Sequence, residues 1–218
     1  MVLHYVYLAC LLISCVMAFV FRRDLKSRQL SLFPWYLLYV LLQEISVFIL
    51  LRLYPDLSTG IIYNIYHPVS VLFFSTFYFS IPFNARSRPL ILLLLAIFML
   101  MVIITYLFLQ PISIFNNYIS LCTGFMITLC GLLFLFNYFK LDNPAEEKKW
   151  LPVIWITIGL VVFFPVVNIS FALYKHLLAY QATIFGQKLY RLIPQLMSIF
   201  MYTCFARAFY LCQKKNLT

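Results

Sequence analysis

The run LILLLLAIFMLMVIITYLFL (residues 90–109) carries no charge in twenty consecutive positions. At about 1.5 Å of rise per residue, a helix of that length crosses the roughly 30 Å hydrocarbon layer of a bilayer. A membrane β-strand is excluded, because its residues alternate between lipid and a polar lumen and this run does not alternate. A backbone in lipid must satisfy its own polar groups, which leaves the α-helix.

Working outward from that run, the same pattern recurs six more times. The spans read as about 2–21, 33–53, 60–82, 89–110, 117–139, 150–173 and 190–211. The polar breaks are short: RRDLKSRQ, YPDLSTG, NARSRP, LQPISIFNN and KLDNPAEEKK, then the longer, half-apolar KHLLAYQATIFGQK, which is expected to lie along the membrane surface. Of 218 residues, 65% are hydrophobic and 10% are charged, against about 25% charged in a soluble domain. The expectation is an all-α membrane protein: one seven-transmembrane helix bundle over residues 1–218 with no soluble domain. The first span follows Met1 and Val2 without a basic leader, so it reads as retained rather than cleaved.

Lys and Arg set the orientation. One side of the expected bundle collects Arg22, Arg23, Lys26, Arg28, Arg86, Arg88, Lys140, Lys148, Lys149, Lys214 and Lys215. The other collects Arg52, Lys175, Lys188 and Arg191, and Arg207 lies within the seventh span. Eleven against four places the first side in the cytoplasm, so the N-terminus is outside and the C-terminus inside. Trp35 and Trp150 open spans on the cytoplasmic side, where indoles favour the membrane interface. The net charge of +10 belongs to these loops. It forms no basic stripe beside exposed aromatics, so no nucleic-acid partner is expected. The expected partners are the lipid bilayer and a protein partner or a second copy of the chain.

The six cysteines, Cys10, Cys15, Cys122, Cys130, Cys204 and Cys212, form no Cys-x-x-Cys pair and no zinc-like spacing with histidine. They read as small hydrophobes. No metal and no cofactor is expected, and no catalytic residue. Gly124 and Gly131 in the fifth span are read as too few to define a helix interface, since no GxxxG occurs. The fourth span is the most uniformly apolar and reads as lipid-facing.

Polar groups at membrane depth carry the functional question, because an ionisable side chain there costs about 2.5–3.5 kcal/mol on insertion scales. Glu44 stands at the middle of the second span. His67 stands in the third span, at a depth that differs from that of Glu44 by only about 4–5 Å at helical rise. A contact between them is therefore expected. Asn64 is three residues before His67, on nearly the same helical face, with Tyr63 and Tyr66 beside it. Asn168 and Gln195 reach the same level from the sixth and seventh spans, as do Pro68, Pro165 and Pro194, each of which frees a backbone carbonyl. These residues predict an outward-facing polar pocket of Glu44, Tyr63, Asn64, Tyr66, His67, Asn168 and Gln195. Two readings stand: a ligand or proton site, or a hydrogen-bonded cluster that only fastens helices. On the opposite side, Arg22, Arg23, Lys26, Arg28, Lys148 and Lys149 form a candidate docking surface for a partner.

Some seven-span classes are excluded by residues. The seventh span, YRLIPQLMSIFMYTCFARAFYL, has no lysine for a retinal Schiff base. Only His67 lies well within a span, too few histidines for a zinc-dependent membrane hydrolase. The run YNIYHPVSVLFFSTFYF (63–79), the lone Glu44, PVIWITIGLVVFF (152–164) and ARAFYLCQKK (206–215) together resemble small uncharacterised seven-span proteins of Bacteroidetes-type bacteria. Related membrane regions occur fused to sensor histidine kinases. The resemblance implies a sensor-like or receptor-like module of the bacterial inner membrane. With no kinase or output domain within these 218 residues, it would act through a partner. The competing expectations are a small transporter or channel that uses the same pocket, and a structural or effector subunit of a membrane complex such as a defence system.

Overall fold

A computed structural model describes residues 2–26, 29–54, 57–141, 143–173, 183–184 and 187–213. Among them, the apolar stretches fold as seven long helices. These are α1 (Val2–Val20), α3 (Phe33–Leu53), α4 (Gly60–Ser80), α5 (Arg88–Ile104), α6 (Asn117–Tyr138), α7 (Pro144–Ala172) and α8 (Leu189–Gln213), with a short α2 (Arg22–Lys26) after α1. Six of the seven are long and apolar enough to cross a membrane by length and composition: all but α4. That is the pattern of a polytopic membrane protein with lipid around it. α4 matches the others at 21 residues and carries no charged residue, but Asn64, His67, Ser70 and Ser75 make it more polar. All four of those side chains are buried, so the polarity of α4 is turned into the protein.

Two boundaries differ from the sequence reading for local reasons. α7 begins at Pro144, six residues before the drawn span of 150–173. Proline suits the first helical position and an acidic residue such as Glu147 suits the first turn, so the KLDNPAEEKK loop winds into the helix. The NARSRP loop is a 3₁₀ turn, Pro82–Ser87, that leads from α4 into α5. At its far end α5 closes with a π turn, Thr105–Leu109. The surface placement expected for the 175–188 loop falls largely outside the described residues; its described part is a small antiparallel ladder that pairs Thr183 with Lys188 and Ile184 with Gln187.

Successive long helices run up and down. Six of them close a ring in the order α1, α8, α7, α6, α4, α3, each packed on the next, and α5 lies against α4 and α6. α5 and its flanking turns form the least buried apolar helix, as its uniform apolarity led one to expect. The small residues of α6 face α7, contrary to the expectation that they are too few to matter. A Cβ on Gly131 would come within 2.7 Å of Val161, and one on Gly124 would collide with the Asn168 amide. Their seven-residue separation is two helical turns, which puts both on one face.

One half of the ring is filled. Phe33 meets Phe73, Phe74, Phe77, Phe205 and Phe209 edge to face at centroid distances of 5.0, 6.3, 5.0, 6.0 and 6.1 Å. Tyr36 stacks on Phe73 at 4.0 Å and donates to the Ser70 hydroxyl at 3.1 Å. These contacts seal α3 against α4. Tyr78 donates to Thr157 at 3.1 Å and ties α4 to α7. The Asn137 amide donates to Asn84 at 2.7 Å and to Ser87 at 2.8 Å, so the 3₁₀ turn is held to α6. Trp150 is also part of this core: it is 3% exposed and edge-on to Phe83 at 5.3 Å. The early start of α7 carries the indole inward, while Trp35 is 51% exposed.

Candidate functional site

The other half of the ring is hollow. It holds a cavity of about 680 Å³, walled by side chains from all six ring helices and from none of α5. That volume lies within the range of roughly 300–1,000 Å³ typical of small-molecule pockets. His4, Thr59, Phe115, Asn117, Phe171 and Tyr190 line it near one end of the bundle. Val40, Glu44, Met201 and Tyr202 line it near the middle, just above the Phe33 cluster.

The wall is positioned by contacts made at that end of the bundle. The Asn64 amide donates to the carbonyls of Ile112 and Ile114, both at 2.7 Å, and its oxygen accepts from the Asn116 N–H at 3.1 Å. Asn116 in turn caps α6 by accepting from the Ile119 N–H at 3.0 Å. One side chain thus pins the α5–α6 connection onto α4. Gly60 allows the close approach, because a Cβ there would run into the backbone of Ser113 and Phe115. Phe115 is thereby held over the cavity, edge-on to Tyr63 at 6.2 Å. On the far wall the Asn168 amide donates to the Leu121 carbonyl at 3.0 Å, which fixes α7 to α6.

Of the sequence-derived pocket residues, Glu44, Tyr63, Tyr66, His67, Asn168 and Gln195 all line this cavity. Asn64 does not. Three residues of α-helix turn it about 60° away from His67, enough to aim it at the 110–116 segment. The expected contact between Glu44 and His67 does not include a hydrogen bond. Glu44 has the Tyr7 hydroxyl of α1 beside it instead. His67 is 8% exposed, and neither of its ring nitrogens has a hydrogen-bond partner among the described residues. Its ring lies against Tyr66 at 5.7 Å and Phe115 at 5.9 Å. α1 packs more closely along α3 than α4 does, and His4 of α1 stacks on Phe48, one turn from Glu44, at 5.5 Å.

Sequence reasoning missed most of the aromatic wall. Tyr7, Phe115, Phe163, Phe164, Phe171 and Tyr202 line the cavity as well. Tyr63, Tyr66 and Tyr202 lie close enough to Glu44 to interact with its charge. Among the described lining residues Glu44 is the one acidic side chain, and there is no Lys or Arg. The described residues contain no group of three His, Cys, Asp or Glu that could hold a metal ion.

The residues of the candidate docking surface lie at the filled end. Arg22, Arg23 and Lys26 are exposed on α2, with the Arg22 guanidinium 5.2 Å from the Trp35 ring centre. Lys148 and Lys149 are exposed near the start of α7, and the Lys149 ammonium lies 5.2 Å from the Trp150 ring centre. Arg28 lies outside the described residues.

No protein-family model matches this chain, and no curated protein or solved structure matches it.

Proposed function

We propose that this protein is a non-catalytic, sensor-like or receptor-like module of a bacterial inner membrane. It crosses the bilayer seven times, α4 included, with its N-terminus outside and its C-terminus in the cytoplasm. Its cavity takes a small ligand from the outer side. Its basic end, carrying Arg22, Arg23, Lys26, Arg28, Lys148 and Lys149, docks a cytoplasmic partner or a second copy of the chain. The observation that carries this reading is the cavity of about 680 Å³, set on the side of the bundle poor in Lys and Arg. Both ring nitrogens of its buried His67 lack a hydrogen-bond partner among the described residues. A cluster that served only to fasten helices would satisfy its own polar atoms, since an unsatisfied buried group costs about 1–3 kcal/mol. The aromatic plug beneath the cavity favours a receptor over an open channel, because Phe33, Phe74 and Phe205 are buried where a pore would continue. The resemblance to membrane regions of sensor kinases supports the same role.

The test is labelling of spheroplasts with a membrane-impermeant thiol reagent, scored against the parent protein with its own six cysteines. Ser58→Cys and Ser198→Cys are expected to react from outside, and Lys148→Cys only after lysis. A reactive Lys148→Cys in sealed spheroplasts overturns the orientation. An unreactive Ser198→Cys overturns the outward pocket.

A further inference from the structure

The cavity wall has a composition that selects a ligand class. Nine of its described lining residues are Phe or Tyr; among those described residues Glu44 is the one acidic group and none is Lys or Arg. Aromatic faces carry negative electrostatic potential and attract a cation that has shed its water. A carboxylate among such rings adds a full charge of the same sign. Tyr7 and Tyr202 stand 6.0 Å apart between ring centres on one flank of Glu44, and Tyr63 and Tyr66 project from α4. His67, buried and without a hydrogen-bond partner among the described residues, offers a further acceptor when neutral. An anion would meet the carboxylate and the ring faces with the wrong sign. A metal cation is held by clustered charged or imidazole ligands, and the described residues contain no group of three His, Cys, Asp or Glu to hold one.

We propose that the ligand of this cavity is an organic cation: an alkyl- or arylammonium compound whose charged nitrogen sits by Glu44 within the tyrosines and whose apolar body lies along Phe115, Phe163 and Phe171. This rests on the reading of the cavity as a ligand pocket and adds the ligand's charge and shape. The packing of Tyr7 with Glu44 closes the α1 side of the cage, so ligand charge is read jointly by α1, α3, α4 and α8.

The experiment is isothermal titration of the whole protein in neutral detergent. The two probes are benzyltrimethylammonium and its neutral near-isostere 2-methyl-1-phenylpropan-2-ol. The cation is expected to bind with one-to-one stoichiometry at least tenfold more tightly than the alcohol, and Glu44→Gln is expected to remove that preference. The comparison of the two probes on the unmodified protein stands by itself if Glu44→Gln fails to fold. Tyr63→Leu then serves as the second variant, with the preference expected to fall several-fold. Equal binding of both probes, or a preference untouched by Glu44→Gln, overturns the organic-cation proposal and leaves the pocket reading in place. Absence of binding by either probe also overturns it. The pocket reading fails separately, through an unreactive Ser198→Cys.

Discussion

The two ends of this bundle are built from the same residue types and differ in how they fill space. At the end where α3 begins, Phe33, Tyr36, Phe74, Tyr78, Phe205 and Phe209 interlock and every one of them is buried. At the end where α3 finishes, Tyr63, Tyr66, Phe115, Phe163 and Phe171 stand around about 680 Å³ of space. The contrast is one of polar bookkeeping as well. At the filled end, Tyr36, Tyr78, Asn84 and Asn137 each have a hydrogen-bond partner in another side chain or the backbone. At the hollow end, both nitrogens of His67 and the hydroxyl of Thr123 have none among the described residues. Aromatic content therefore does not tell a core from a pocket. What distinguishes them is whether neighbouring helices close on the rings, and α3 and α4 close only where Tyr36 reaches Phe73.

The largest expected effect lies in the filled end. Phe33→Ala removes the ring at the centre of five edge-to-face contacts. It should cost about 3–5 kcal/mol, as buried Phe truncations do. Thermal or denaturant unfolding in detergent would measure it. Phe163→Ala, which borders existing space, should cost less than half as much. Equal costs would erase the distinction between the two ends.

A smaller loss is expected at the hinge of the hollow end. Asn64→Ala strands the Ile112 carbonyl and the Asn116 N–H, while the Ile114 carbonyl keeps its bond from the Gln110 amide. It should cost about 1–3 kcal/mol, because unsatisfied groups are left behind. It should also loosen Phe115, raising hydrogen exchange at Ile114 to Asn116. Exchange that stays at the parent rate would show that the segment is held by something other than Asn64.

The smallest effect is expected at Tyr78→Phe. Losing the bond to Thr157 leaves a hydroxyl that still donates to the Val153 carbonyl at 2.8 Å. The expected cost is about 0.5–1.5 kcal/mol. A loss beyond 3 kcal/mol would mean that the α4 to α7 contact depends on this bond more than on the packing around it.

Much of the fold was legible because helix formation in an apolar environment is local. The run at 90–109 needs no distant contact to be read as a helix, and α3 occupies Phe33–Leu53, the same residues as the drawn span. The early start of α7 was hidden because the charged AEEKK stretch looks like a loop until Pro144 is read as a helix start. The site was legible to the extent that polarity is rare at membrane depth: Glu44, His67, Asn168 and Gln195 stood out for that reason. Its walls did not stand out, because 23 Phe and 16 Tyr are spread over the chain and sequence alone gives no reason to choose Phe115 over Phe73. Depth matched Glu44 to His67, but depth says nothing about azimuth, and Tyr7 from α1 occupies the position beside the carboxylate.

The central claim is that one half of this ring is space a solute can enter and the other half is not. Paired single substitutions test it most directly: Ser198→Cys in the cavity wall and Ser75→Cys, buried in the filled half, each purified and treated with a small water-soluble thiol reagent. The measured quantity is the second-order rate of modification at each site above the parent background. The prediction is a rate at Ser198→Cys at least a hundredfold above that at Ser75→Cys. Comparable rates, or a Ser198→Cys that stays unmodified while the protein remains folded, would contradict the account.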